Sequence, residues 1–136
     1  KLDTNGTHPA RLRALLDEGL VDYVAMDVKN SPERYAETVG VAGLDLAPIR
    51  ESAALLMEGR VDYEFRTTVC RELHDDDAIR GVGEFLAGAR RLYLQPFADR
   101  DTVAFAGFSA PDMPTLERWA EILRGFVGEV GIRGAD

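Results

Sequence analysis

Two hydrophobic periods take turns along this chain, and that alternation limits the folds open to it more than any other feature. The clearest instance is Val61 to Cys70. Val61, Tyr63, Phe65, Thr67 and Val69 share one face there, and Asp62, Glu64, Arg66, Thr68 and Cys70 share the other. Strict alternation is the period of a β-strand. Directly afterwards, Asp75, Asp76 and Asp77 put negative charge where a helix dipole favours it, and Ile79, Val82, Phe85 and Leu86 follow at helical spacing. The same pairing recurs along the chain. Lys1 to Thr4 reads as a strand end running into an Asn5-Gly6 turn. A helix follows, capped by Thr7, with Pro9 in its first turn and a stripe of Leu12, Leu15 and Leu16. Val21 to Lys29 reads as a strand with Val24, Met26 and Val28 on one face and Tyr23, Ala25, Asp27 and Lys29 on the other. Pro32 to Val39 is predicted as a short helix, Val41 to Ala47 as a loop, and the stretch from Pro48 to Gly59 as a helix. Arg91 to Pro96 is a fourth strand, and Ala98 to Pro111 a long loop. Asp112 caps a last helix striped by Leu116, Trp119, Ile122, Leu123, Phe126 and Val127, and Val130 to Arg133 is a candidate final strand.

Strands that alternate with helices imply an α/β fold with parallel strands and right-handed crossovers. About four strands with their helices fit either a small doubly wound sheet or the back half of a (β/α) barrel. The chain opens on what reads as the end of a strand, so residues 1–136 are expected to form a single domain cut from a longer protein.

Hydrophobic residues make up 46% and charged residues 29%, an ordinary globular balance. The net charge of −8 is opposite to that of a nucleic-acid binder, so no nucleic-acid partner is expected. No apolar run approaches the roughly 20 residues that span a bilayer. With no basic-then-apolar leader either, no membrane partner is expected, and the expected location is cytoplasmic. Cys70 is the one cysteine, which excludes an intrachain disulfide and an all-cysteine metal cluster made by this chain alone. The glycines form neither a GxGxxG fingerprint nor a phosphate-binding loop.

Polar residues gather where α/β folds place their sites, at the carboxyl ends of strands. Asp3-Thr4-Asn5 ends the first strand, Asp27 and Lys29 the second, Arg66 and Thr68 the third, and Gln95 the fourth. Any one of them alone is better explained as a solvated side chain; the repetition over four strands favours a site. Arg66 has two readings. It is either part of an exposed ladder with Asp62 and Glu64, or a guanidinium inside a barrel mouth that holds a carboxylate or phosphate. His8 and His74 are expected to be solvated at helix starts, and Cys70 to be an inert buried thiol.

Leu2-Asp3-Thr4-Asn5-Gly6, Asp22-Tyr23-Val24-Ala25-Met26-Asp27-Val28-Lys29, Tyr63-Glu64-Phe65-Arg66-Thr67-Thr68-Val69 and Leu94-Gln95-Pro96-Phe97 occur in that order. Together they resemble the later strands of radical SAM enzymes that activate glycyl radical enzymes. The nearest types are the anaerobic ribonucleoside-triphosphate reductase activating protein and the pyruvate formate-lyase activating enzyme. The resemblance implies the C-terminal part of a partial (β/α)6 barrel. It also implies S-adenosylmethionine and a [4Fe-4S] cluster as cofactors. The cluster's CxxxCxxC loop and the GGEP-like motif are absent from this chain, so the cluster ligands would lie outside it. By the same resemblance, Asp3, Thr4, Asp27, Lys29 and Arg66 bind the cofactor. Asp3, Thr4, Asp27 and the backbone of Ala25 hold a monovalent cation. The implied reaction is reductive cleavage of S-adenosylmethionine to a radical that takes a hydrogen atom from a backbone glycine of the partner. Anaerobic ribonucleotide reductase is the implied partner, with flavodoxin or ferredoxin as electron donor. Where relatives of the formate-lyase type carry His after an LLPY-like strand, Ala98 follows Phe97 here, which favours the reductase-activating branch.

Phe105 and Phe108, in the long loop beside the expected mouth, are candidate partner-binding residues. An opened barrel edge at Lys1 to Thr4 implies self-association of the fragment, which alone is expected to be inactive. Two other readings fit the residues: a small-molecule barrel enzyme with Lys29 as Schiff-base amine, and a cofactor-free interaction domain docking through Phe105 and Phe108.

Overall fold

A computed structural model describes residues 1–98 and 107–134. Five strands form one sheet: β1 (Leu2–Thr4), β2 (Tyr23–Asp27), β3 (Asp62–Val69), β4 (Arg91–Pro96) and β5 (Glu129–Ile132). All neighbours are parallel, and the spatial order β1-β2-β3-β4-β5 is the chain order. The candidate final strand is real, so five strands replace the four expected. Helix α1 (Pro9–Asp17) joins β1 to β2. A 3-10 turn (Pro32–Arg34), α2 (Tyr35–Val39) and α3 (Ala47–Met57) join β2 to β3. Helices α4 (Asp76–Phe85) and α5 (Met113–Arg124) serve the last two crossovers.

Register decides which face each side chain takes. Val24 pairs with Tyr63, Met26 with Phe65, Phe65 with Leu92, and Leu92 with Val130. These residues form one apolar face and pack with Leu12, Ile49, Leu56, Ile79, Leu86, Trp119 and Leu123 of the helices in one buried cluster. Met26, Phe65, Leu92 and Leu94 are fully buried, and each such side chain contributes about 1.5–3 kcal/mol. The opposite face carries Asp3, Asp27, Asp62, Glu64, Arg66, Arg91 and Tyr93. A doubly wound sheet is apolar on both faces because helices cover both. Here the described helices serve one face and the other is charged, which selects the barrel-type reading over the open sheet.

Local chemistry sets the helix starts. Asp75 accepts a hydrogen bond from the Ala78 amide at 2.8 Å, and Asp112 accepts one from the Thr115 amide at 2.9 Å. Thr7 does not cap α1. Residue His8 holds that position without a side-chain bond, and Asn5 Oδ1 instead accepts from both the Thr7 amide and its hydroxyl. The Asn5-Gly6 turn needs its glycine, since Gly6 has φ of +77° and a Cβ there would lie 2.3 Å from Met26 Cε.

Candidate functional site at the carboxyl ends of the strands

Four charged side chains meet at the tips of β1 to β3. Asp3 sits opposite Ala25, and Asp27 opposite Arg66, so the guanidinium falls between two carboxylates. Arg66 Nη2 is 3.5 Å from Asp3 Oδ1, and Arg66 Nε is 3.4 Å from Asp27 Oδ1. Lys29 Nζ lies 3.7 Å from Asp27 Oδ2. The line Asp3–Arg66–Asp27–Lys29 therefore alternates in sign. Its contacts are longer than good hydrogen bonds. The side chains of Asp3, Asp27 and Lys29 are 64%, 39% and 42% exposed. Pairs this open contribute about 0–1 kcal/mol each, so folding gains little from them. Arg66 Nε is closed off from solvent yet makes no hydrogen bond. An unsatisfied buried donor costs about 1–3 kcal/mol, and a ligand carboxylate would remove that cost.

Thr4 does not join this line. It pairs with Met26 and so faces the helices, and its hydroxyl accepts the Gly6 amide at 3.1 Å. Ala25 is fully buried beneath Asp3 and brings no polar side chain.

A cavity of about 580 Å3 adjoins the line. Lys29, Thr68, Gln95, His74, Phe97 and Phe108 are among the residues that line it. Three of the predicted strand-tip residues thus converge there. The Phe108 ring stands edge-on to Phe97 with centroids 6.0 Å apart. Its segment is fastened to the β3–α4 loop. The Ser109 amide and hydroxyl donate to Glu72 at 2.9 and 2.8 Å, and Arg71 Nε donates to the Ala110 carbonyl at 2.9 Å. The Ser109 donors hold the Glu72 carboxyl below its ordinary pKa. Phe105 lies outside the described residues.

Two polar groups escaped the sequence reading. The first is Glu64. The Asp62–Glu64–Arg66 ladder does not exist, because each member pairs across strands. Asp62 bonds Arg90 and Arg91, and Arg66 meets Asp3 and Asp27. Glu64 is 2% exposed, accepts from Tyr23 Oη at 2.8 Å, and is held by Arg133 Nη1 at 2.8 Å. Burial first, then the Glu64 contact, pushes the Tyr23 phenol up to about 12. The guanidinium of Arg133 also lies 3.7 Å above the Tyr93 ring. The second is His74, which is not solvated: it is 5% exposed. Cys70 is buried as expected, and burial raises its thiol pKa.

No protein-family model matches the chain. A protein of Methanocaldococcus jannaschii with the provisional name glycyl-radical enzyme activating enzyme is 29% identical over 138 aligned positions. The alignment takes in 98% of this chain and 58% of that protein. The resemblance read from the strand motifs holds. The chain spans less than two thirds of this activating-type relative. Its fold is that of a domain of the pyruvate-formate lyase-activating enzyme from Bacteroides vulgatus, with a TM-score of 0.72 at 15% identity. That match covers 98% of this chain and 80% of the Bacteroides domain. Among the described residues, no helix is long and apolar enough to cross a membrane.

Proposed function

We propose that this chain forms the C-terminal part of a radical SAM activating enzyme, and that Asp3, Asp27, Lys29 and Arg66 hold S-adenosylmethionine. The observation that carries the reading is the sign-alternating line at three successive strand tips, in a chain whose aligned relative bears an activating-enzyme name. S-adenosylmethionine presents a carboxylate, an ammonium and a sulfonium, and when bound it supplies reductive bond-cleavage chemistry. Arg66 Nε, which faces Asp27 without a good hydrogen bond, is the donor suited to the carboxylate. Asp3 and Asp27 suit the cationic groups, and Lys29 balances their charge on the cavity side. Carboxylates and a backbone carbonyl are hard oxygen donors, so Asp3, Asp27 and Ala25 fit a monovalent cation. Arg66 already places positive charge at both carboxylates, so such an ion would compete with it. Thr4 would join the ion only by turning from the helix face to the charged face. A [4Fe-4S] cluster does not fit the residues present: Cys70 is the single cysteine, and its ligands would come from outside this chain.

On this reading the partner is a glycyl radical enzyme, of the anaerobic ribonucleotide reductase type, with flavodoxin or ferredoxin as donor, in a cytoplasmic setting. The chain by itself is inactive. Phe108 would meet the partner at the mouth of the cavity, and Phe105 is assigned to the same partner from the sequence alone. The test is S-adenosylmethionine affinity of the full-length, cluster-loaded enzyme, measured by titration calorimetry for wild type and Asp27→Asn. Asp27 is partly exposed, so the expected loss is about 1–2 kcal/mol, or roughly 5- to 30-fold. An unchanged dissociation constant in a well-folded variant overturns the assignment.

A further inference from the structure

We infer that His74 is a positioning residue, which fixes the strand end that presents Lys29 to the cofactor-side charges and to the adjoining cavity. The inference rests on the cofactor reading of Lys29 above. β2 ends at Asp27, and nothing in the sheet ladder beyond that point holds residues 29 and 30. The β3–α4 loop and α2 do so instead. His74 Nε2 lies 3.1 Å from the Lys29 carbonyl, and its Nδ1 lies 3.2 Å from the Cys70 amide. A carbonyl only accepts and an amide N–H only donates, so the two contacts fix one state: neutral, with the proton on Nε2. The ring thus joins the end of β2 to the end of β3 by a donor and an acceptor at once. Asn30 repeats the fastening next door, since its Nδ2 donates to the Leu73 carbonyl at 2.8 Å and to Thr38 Oγ1 at 2.9 Å. His74 also forms the wall between the cavity that holds Lys29 and a second one of about 630 Å3 at the starts of α4 and α5.

The surroundings keep that state. Burial is the main cause and holds the His74 pKa below its ordinary value against the opposing backbone contacts at Lys29 and Cys70, with Arg34 adding to the lowering and Asp75 opposing it. From α5 the neighbouring ring is Trp119, which does not titrate and lies 6.4 Å away. The Lys29 ammonium points elsewhere, to Asp27. Freed from the ring, the Lys29 backbone would lose the one side-chain contact recorded for its carbonyl. A displacement near 1 Å at a binding group costs on the order of 10- to 100-fold.

Four variants of the full-length, cluster-loaded enzyme test this, each read by S-adenosylmethionine affinity with melting temperature alongside. Lys29→Ala is the reference. His74→Phe keeps the ring volume and removes both bonds. His74→Asn keeps an acceptor near the Cys70 amide and loses the donor to Lys29. His74→Gln supplies an acceptor and a donor at a similar separation. We expect roughly tenfold or greater loss in Lys29→Ala, His74→Phe and His74→Asn, and near-wild-type affinity in His74→Gln. Full affinity in His74→Phe and His74→Asn, beside a clear loss in Lys29→Ala, overturns the positioning role alone. Affinities that merely follow melting temperature through all three His74 variants overturn it too. Unchanged affinity in Lys29→Ala overturns the cofactor reading, and the inference falls with it.

Discussion

Replacing Arg133 with Met should destabilise the protein more than replacing its partner Glu64 with Gln. The asymmetry follows from burial. Glu64 is 2% exposed, whereas the Arg133 side chain is 45% exposed. Arg133→Met leaves a carboxylate sealed in the sheet face with the Tyr23 phenol as its remaining recorded donor. Removing one member of a buried pair costs about 3–5 kcal/mol, and the exposure of the arginine end reduces this to about 2–3. Glu64→Gln keeps an acceptor for Tyr23 and removes a charge, and Arg133 regains water, so the loss is about 1–2 kcal/mol. In a chain of this size each kcal/mol moves the melting temperature by about 3–4 °C, which gives roughly 6–12 °C for Arg133→Met. Methionine keeps some apolar contact with Tyr93, so the loss reflects the charge. The assay is thermal unfolding of both single variants and the double variant at neutral pH. The double variant should lie close to Glu64→Gln, because the stranded carboxylate is gone. An Arg133→Met melt within 1 °C of wild type, or a double variant that loses the sum of the singles, refutes the reasoning.

Acid should act in two stages. The folded pKa of His74 lies below its unfolded value, so its contribution is complete above about 6.5 and declines as pH falls below that. His74→Gln should remove this first stage from a pH series of denaturant melts. Asp62, Glu72, Asp75, Asp76 and Asp112 are also held below their ordinary values, so a second decline should set in as pH drops below about 4. Gly6→Ala should cost about 1–3 kcal/mol by combining a positive φ with a Met26 clash, read by chemical denaturation, and a neutral result would refute the turn argument. Cys70 should react with an alkylating reagent far more slowly in the native protein than in the unfolded one; equal rates would contradict its burial.

The alternation of periods made the fold legible. Val61 to Cys70 became β3 almost to the residue, and Asp75 by its charge and Asp112 by capping signalled their helices within a few positions. The tips of β1 to β3 were legible for the same reason, since strand parity alone places Asp3, Asp27 and Arg66 on one face. Glu64 was misread because parity gives the face but not the partner. Arg133 lies 69 positions away, and only the β4–β5 pairing brings it over Tyr93. A polar residue at the same parity on every strand was the available signal. His74 was misread because a histidine before three aspartates looks solvated; its burial depends on where Trp119 of α5 packs.

Because neighbours in the sheet are neighbours in the chain, each strand can dock on one already made. Asp3, Asp27, Lys29 and Arg66 are all in place once β3 has formed, so the charged line can assemble before β4 and β5 join the sheet. Glu64 emerges in that same strand but waits for Arg133, which arrives after β5. Until then a carboxylate sits on the growing sheet without its guanidinium, and the sheet face stays unsettled. The segment that carries Arg133 therefore acts as a clasp on the Glu64 side of the face, and a folding intermediate that lacks this contact would hold its site residues around a carboxylate still open to water.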